Sequence, residues 1–299
     1  MTAPGAAIAE ILPPAVAGQL GRFRLGGRRR FTQRSQGEHL AGRGGQSIEF
    51  HDFRDYRAGD DLRSVDWHAF ARLRRPYVKI YRQEEEQHLL ILLDASASMG
   101  FAAKLQQAIR LAALFAIPAL AGGERVACCV GGGADGRPRF CRPQRGSGAL
   151  ARVLAPVTGL AAGGAPDLDA LVDGALRQHR GRGVVLLLSD FLHEADPRRA
   201  INRLQSAGLE CFAVQILAAA ERDPDLDGDW RLVDCETGAE RDLSAAGTLW
   251  QLYHQQLQAL QHRLASLTAS CGGRYACVDD DADPALLLRD TFIRQGWLR

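Results

Sequence analysis

Residues 88–93 read His-Leu-Leu-Ile-Leu-Leu and run straight into Asp94-Ala-Ser96-Ala-Ser98-Met-Gly100, so an unbroken apolar stretch closes on a carboxylate and two hydroxyls. A strand without polar alternation has to be covered on both faces, which in globular proteins means the interior of a parallel sheet flanked by helices. Gly183-Val-Val-Leu-Leu-Leu-Ser189-Asp190 repeats the pattern and also ends in a carboxylate. Between such runs lie segments of helical period, the clearest over 104–121, which stops at Gly122-Gly123. Strands alternating with helices predict an α/β fold: a doubly wound, mostly parallel sheet, here preceded by a small β-rich accessory region.

Further strands are expected at 125–130, 210–217 and 275–279, with 139–142 as a hairpin partner of the first. Helices are expected at about 147–159, 167–180, 197–207 and 248–270, with another starting at Pro284. The 248–270 helix lines up Leu249, Tyr253, Leu257, Leu260, Leu264 and Leu267 on one stripe for packing on the sheet, leaving His254 and His262 on its wet side. Residues 228–243, centred on Glu236-Thr237-Gly238, read as an inserted hairpin. Residues 1–45, rich in Ala, Pro and Gly and then in arginine, read as a partly disordered arm. Residues 46–87 form a β-rich accessory segment, and 88–299 the main domain.

In a doubly wound sheet, ligands bind beyond the carboxyl ends of the strands where the strand order reverses. Asp94 and Asp190 each close such a strand and are expected to reach one ion there. Ser96 and Ser98 add hydroxyl oxygens, and hard oxygen donors suit Mg²⁺, Mn²⁺ or Ca²⁺. Asp94 would hold the ion directly or through water, and Asp190 through water, leaving a position open for a carboxylate from a partner.

Asp94-x-Ser96-x-Ser98 behind an apolar strand resembles the metal-ion-dependent adhesion site of von Willebrand factor A domains. Such sites usually add a threonine from a loop before a helix. The corresponding text here, Gly163-Gly-Ala-Pro-Asp167-Leu168, has none, and Asp167 is the acidic residue in its place. Upstream, Glu49-Phe50, Phe53-Arg54, Tyr56, Gly59-Asp60, Arg63, Val65-Asp66-Trp67 and Ala71-Arg72 resemble the signature of the bacterial family called "domain of unknown function 58". In that family the signature directly precedes a von Willebrand A-like domain, and together the two pieces cover about residues 37–295. The resemblance implies a non-enzymatic protein-interaction module that works with a MoxR-type AAA+ ATPase in assembling or remodelling a client protein complex. Many relatives also carry transmembrane helices before the signature. A metal-free scaffold of the same fold and a divalent-metal-dependent hydrolase using His193 are the alternatives. Within the signature, Arg54, Arg57 and Arg63 are expected to pair with Asp60, Asp61 and Asp66, locking the small region to the large one, and Trp67 and Phe70 to anchor packing.

Composition narrows the remaining classes. A formal charge of +2 gives no argument for nucleic acid, although basic residues number 37; all but Lys79 and Lys104 are arginine. No apolar stretch approaches the ~18 residues of a membrane helix, which argues for a cytoplasmic protein. Seven cysteines, odd in number and without a Cys-x-x-Cys pair, read as reduced thiols. Gly131-Gly132-Gly133 lacks the spacing of a phosphate loop and reads as a turn.

Overall fold

The computed structural model describes residues 11–27, 31–35, 48–84, 87–165, 167–193, 195–224, 230–236, 238–243 and 247–299. They form two compact units, one of residues 28–86 and one that joins residues 1–27 to 87–299. The boundary differs from the expected arm at 1–45. Helix α1 (Pro14–Leu20) buries Val16 and Leu20, and with Leu12 and Leu25 these join the core of the large unit. The spacing Leu12, Val16, Leu20 is one helical face, a signal diluted by the Ala and Pro around it. Leu25 then bridges Leu298, and Arg24 and Arg299 exchange both backbone hydrogen bonds. Much of the remaining expected arm lies outside the described residues.

The small unit is an antiparallel sheet of β1 (Phe31–Ser35), β2 (Ile48–Asp55) and β3 (Tyr77–Glu84) in the order β1-β3-β2, with helix α2 (Trp67–Leu73) between β2 and β3. Two ion pairs are described within it. Arg54 donates to both oxygens of Asp60 at 2.6 and 2.7 Å. That bidentate bond, with the Arg57 backbone N–H, holds the Asp60 carboxyl down at about 2. Asp61 accepts from the backbone N–H of Arg63, and Asp66 caps α2 through the N–H groups of His68 and Ala69. The cation facing Asp66 is Lys79, at 3.1 Å, where an arginine was expected. Trp67 is 56% exposed and stacks edge-on with Phe70, so it is not the buried anchor the sequence suggested.

The large unit is built on a six-stranded sheet. Its strands are β4 (His88–Ala95), β5 (Arg125–Gly132), β6 (Arg139–Gln144), β7 (Gly183–Ser189), β8 (Leu209–Leu217) and β11 (Arg274–Asp279). The order is β11-β8-β7-β4-β5-β6, parallel throughout except for the edge strand β6. Every residue of β4 and of β8 is buried, as the apolar run of β4 requires, and in β8 this includes Glu210 and Gln215. One face carries Leu89, Ile91 and Leu93 under α1 and helix α3 (Lys104–Ala121). The other carries Leu90 and Leu92 under α5 (Leu168–Gln178), α6 (Arg198–Ser206) and α8 (Gly247–Ser270). Leu257 and Leu264 of α8 are buried and Leu260 and Leu267 pack partly, while His262 is exposed and His254 is half-buried beside Asp223.

The expected helix at 147–159 is a chain of short turns around α4 (Leu150–Val153), broken by Pro156. The expected hairpin forms from β9 (Trp230–Val233) and β10 (Glu240–Leu243), after a single turn α7 (Ala219–Arg222). The chain ends through α9 (Pro284–Leu286) and a π-helical stretch, Leu287–Ile293, that buries Phe292 against Phe115 and Trp297. All seven cysteines are free thiols, and burial pushes Cys129 up to about 11. Among the described residues, no helix is long and apolar enough to cross a membrane.

At the amino end of the sheet, His179 is 3% exposed, edge-on to His88 at 5.1 Å, with neither ring nitrogen hydrogen-bonded. Burial, and then the nearby His88, lower its pKa to about 4. Between pH 6.5 and 4 the unfolded chain therefore binds a proton that the folded chain refuses, and stability falls as pH falls. The expected loss reaches roughly 3 kcal/mol by pH 4. Denaturant midpoints at pH 7 and pH 4.5 check this: His179→Leu should flatten the difference, and an unchanged difference would assign the acid sensitivity elsewhere.

Candidate functional site

The strand order reverses at the β4–β7 pair, because the chain leaves β4 toward β5 and β6 and later builds β7, β8 and β11 on the other side. Strand β4 hands its last residues to a loop whose first turn is tied by Asp94 itself. The backbone N–H of Ser96 donates to Asp94 Oδ1 at 2.9 Å, and Ser189 Oγ donates to Oδ2 at 2.7 Å. Asp94 is 3% exposed, and burial raises its pKa against the opposing pull of these hydrogen bonds. The hydroxyls of Ser96 and Ser98 are 3.1 Å apart, Ser96 fully buried and Ser98 half-buried. Asp94, Ser96 and Ser98 are thus assembled as the sequence suggested.

Asp190 is placed differently. The parallel register pairs Leu93 with Leu188, which carries Asp94 beside Ser189 on one face of the sheet. Asp190, one residue on, falls toward the opposite face, because side chains alternate along a strand. There it meets α3. Lys104 Nζ donates to Asp190 Oδ2 at 2.8 Å and to Glu221 Oε1 at 2.5 Å, with Lys104 fully buried. Asp190 Oδ1 accepts from the N–H of Leu192, and its carbonyl accepts from Gln215 Nε2, which is held in turn by Tyr275. Glu221 is fixed by the N–H of Ala218 and by a bond from the Tyr253 hydroxyl to its own carbonyl. Burial works against the Lys104 charge, but the Asp190 and Glu221 carboxylates outweigh it and raise its pKa. The Asp190 carboxylate, expected to share an ion with Asp94, is thus held by an ammonium ion of the chain's own, while its charge still adds to the rise in the Asp94 pKa.

Asp167 is exposed and caps α5 through the N–H of Ala170 at 2.7 Å, the usual work of an aspartate there. A residue that sequence reasoning missed comes from the hairpin. Glu236, at the turn between β9 and β10, reaches the Asp94 loop and accepts the backbone N–H of Ser98 through Oε1 at 2.9 Å. Its Oε2 is buried without a hydrogen bond. Lys104 did carry a sequence signal, being one of two lysines in an arginine-dominated chain, and both lysines sit in ion pairs. Glu236 had none, since its reach depends on where the hairpin folds back.

Two residues with left-handed backbone flank the site, Ala102 at φ 51° and Phe191 at φ 56°, conformations that non-glycine residues adopt at some cost and that concentrate at functional places. Beside them, Phe101 is 50% and Leu192 37% exposed. A hard cation would find oxygen donors in Asp94, Ser96, Ser98 and the orphaned oxygen of Glu236, a chemistry that fits Mg²⁺ or Mn²⁺. Among the described residues no group of three or more His, Cys, Asp or Glu side chains is placed to hold a metal, so the hydroxyls would have to complete the set.

The family model described as "Protein of unknown function DUF58" matches residues 52–263. The chain belongs to the DUF58 family. Uncharacterized proteins of Mycobacterium tuberculosis (Rv1480) and Mycobacterium bovis (Mb1516) are each 27% identical over 280 residues, covering 92% of this chain and 88% of the relative. Among solved structures, the conserved hypothetical protein BatB from Bacteroides thetaiotaomicron aligns at 16% identity and TM-score 0.41, over 70% of this chain and 98% of BatB. Proximal thread matrix protein 1 of the mussel byssus, described with a zinc-occupied MIDAS motif, aligns at 13% identity and TM-score 0.31, over 44% of this chain and 38% of that one. In this DUF58 chain the family match takes in most of the small unit and the sheet through β8, including the Asp94 loop.

Proposed function

We propose that this DUF58 protein is a non-enzymatic, cytoplasmic interaction module whose docking surface is the crest of the six-stranded sheet around the Asp94-Ala-Ser96-Ala-Ser98 loop. The observation that carries the reading is the buried Asp94 holding its own loop in a turn that brings the Ser96 and Ser98 hydroxyls together. Oxygen donors pre-arranged at a sheet crest, with Phe101 and Leu192 exposed beside them, suit recognition of a partner's acidic side chain through a shared Mg²⁺ or Mn²⁺. Ser96 and Ser98 bond to one another, and among the described bonds neither hydroxyl meets a histidine or lysine, which favours binding over turnover. The proposed partner is a MoxR-type AAA+ ATPase, acting with this chain on a client protein complex.

A metal-free scaffold is the second reading, favoured by Lys104, which already supplies a buried positive charge at the crest. Co-purification with a co-expressed MoxR-type ATPase separates the two. With a shared cation, EDTA or Asp94→Asn should cut recovery of the ATPase at least tenfold while the melting temperature in EDTA stays unchanged. Full recovery in both conditions supports the scaffold, and no complex under any condition overturns the partner assignment.

A further inference from the structure

Half-buried Glu236 carries an oxygen near the crest, Oε2, that is out of water and has no hydrogen-bond partner. Oε1 takes the Ser98 N–H, while Oε2 is buried with none. A buried carboxylate oxygen without a donor costs free energy comparable to a lost hydrogen bond to a charged group, which is tolerated where something electropositive is to be bound. The buried cation of the crest, Lys104, is already committed to Asp190 and Glu221. What lies beside Ser98 is oxygen: its own hydroxyl and that of Ser96, 3.1 Å apart, on the loop that Asp94 ties. A small cation shared between Oε2 and these oxygens would supply the partner that Oε2 lacks.

We propose that Glu236 is a cation ligand delivered by the β9–β10 hairpin, completing a divalent site with Asp94, Ser96 and Ser98, so that Mg²⁺ or Mn²⁺ fastens the hairpin onto the crest. The inference rests on the cation-binding form of the function proposed above and changes its regulation. The position expected to stay open for a partner's carboxylate is taken by a carboxylate of the same chain. A partner must then compete with the hairpin, and the cation sets how firmly the hairpin holds. The hairpin is suited to this work: it contributes no strand to the six-stranded sheet, and Leu232 and Val233 on it are 46% and 58% exposed. It can therefore leave without unpairing the core.

Two measurements on the full chain test this, Mn²⁺ binding by electron paramagnetic resonance and amide hydrogen exchange over residues 230–243 with and without Mg²⁺. The wild type should bind one Mn²⁺, and Mg²⁺ should slow exchange in the hairpin at least tenfold. Glu236→Gln, which keeps the size and the acceptor for Ser98 N–H, should weaken Mn²⁺ binding at least tenfold and abolish the Mg²⁺ protection, with an unchanged melting temperature. Equal Mn²⁺ affinity in wild type and Glu236→Gln, together with loss in Asp94→Asn, overturns the role of Glu236 while keeping a cation at the crest. Absence of Mn²⁺ binding in the wild type overturns both.

Discussion

Replacing Lys104 with alanine is expected to cost about 3–5 kcal/mol of folding stability, the loss typical of removing one partner from a buried ion pair. Lys104 has no exposed surface and Asp190 is 1% exposed, so the carboxylate left behind would be buried without its cation. Glu221, with 18% of its side chain exposed, can recover water and contributes little to the loss. The pair Lys104→Met and Asp190→Asn should restore most of the stability, since neutralising both partners removes the uncompensated charge that makes the single change costly. Urea unfolding of the single and double variants checks this through the midpoint at unchanged slope. A single variant within about 1 kcal/mol of wild type would mean that water reaches Asp190 freely, contrary to the packed crest described above.

The second large effect is expected at Gly132, the last residue of β5. Its φ is +78°, and a β-carbon there would stand 2.8 Å from both the carbonyl carbon of Ala95 and the amide nitrogen of Ser96. Those atoms are backbone and cannot rotate away, so Gly132→Ala must move the start of the Asp94 loop. Left-handed strain and overpacking together suggest about 2–4 kcal/mol. In a unit of this size that is a fall of roughly 5–15 °C in melting temperature. Gly136 is the control, with φ +61° and open space around its missing side chain. Gly136→Ala should lose only the backbone contribution, so equal losses at the two positions would show that the contact with Ala95 and Ser96 is not felt.

Much of the large unit was legible because its strands announce themselves. The runs at 88–93 and 183–188 have no polar alternation, and burial on both faces is the only way to keep such text out of water. The long helix Lys104–Ala121 was equally clear from its spacing and its terminal glycines. The destination of Asp190 was not. Its position at a strand end was visible, but the face it takes depends on pairing Leu93 with Leu188, and a shift of one residue would have put it beside Asp94. Asp167 was read as a possible ligand where an aspartate three residues before Ala170 is an ordinary helix cap. Glu236 lies 138 residues from the backbone N–H it accepts, a contact that no local pattern encodes.

Residues 11–27 belong with 87–299, and a β-carbon on Gly27 would lie 3.5 Å from the side chain of Gln87. The larger fold is thus interrupted along the chain by residues 28–86, yet its own two cut ends meet in space. The larger fold's instructions are then divided between segments on either side of residues 28–86: during synthesis α1 and Leu25 emerge long before Leu298, and the seam they share with it has to wait.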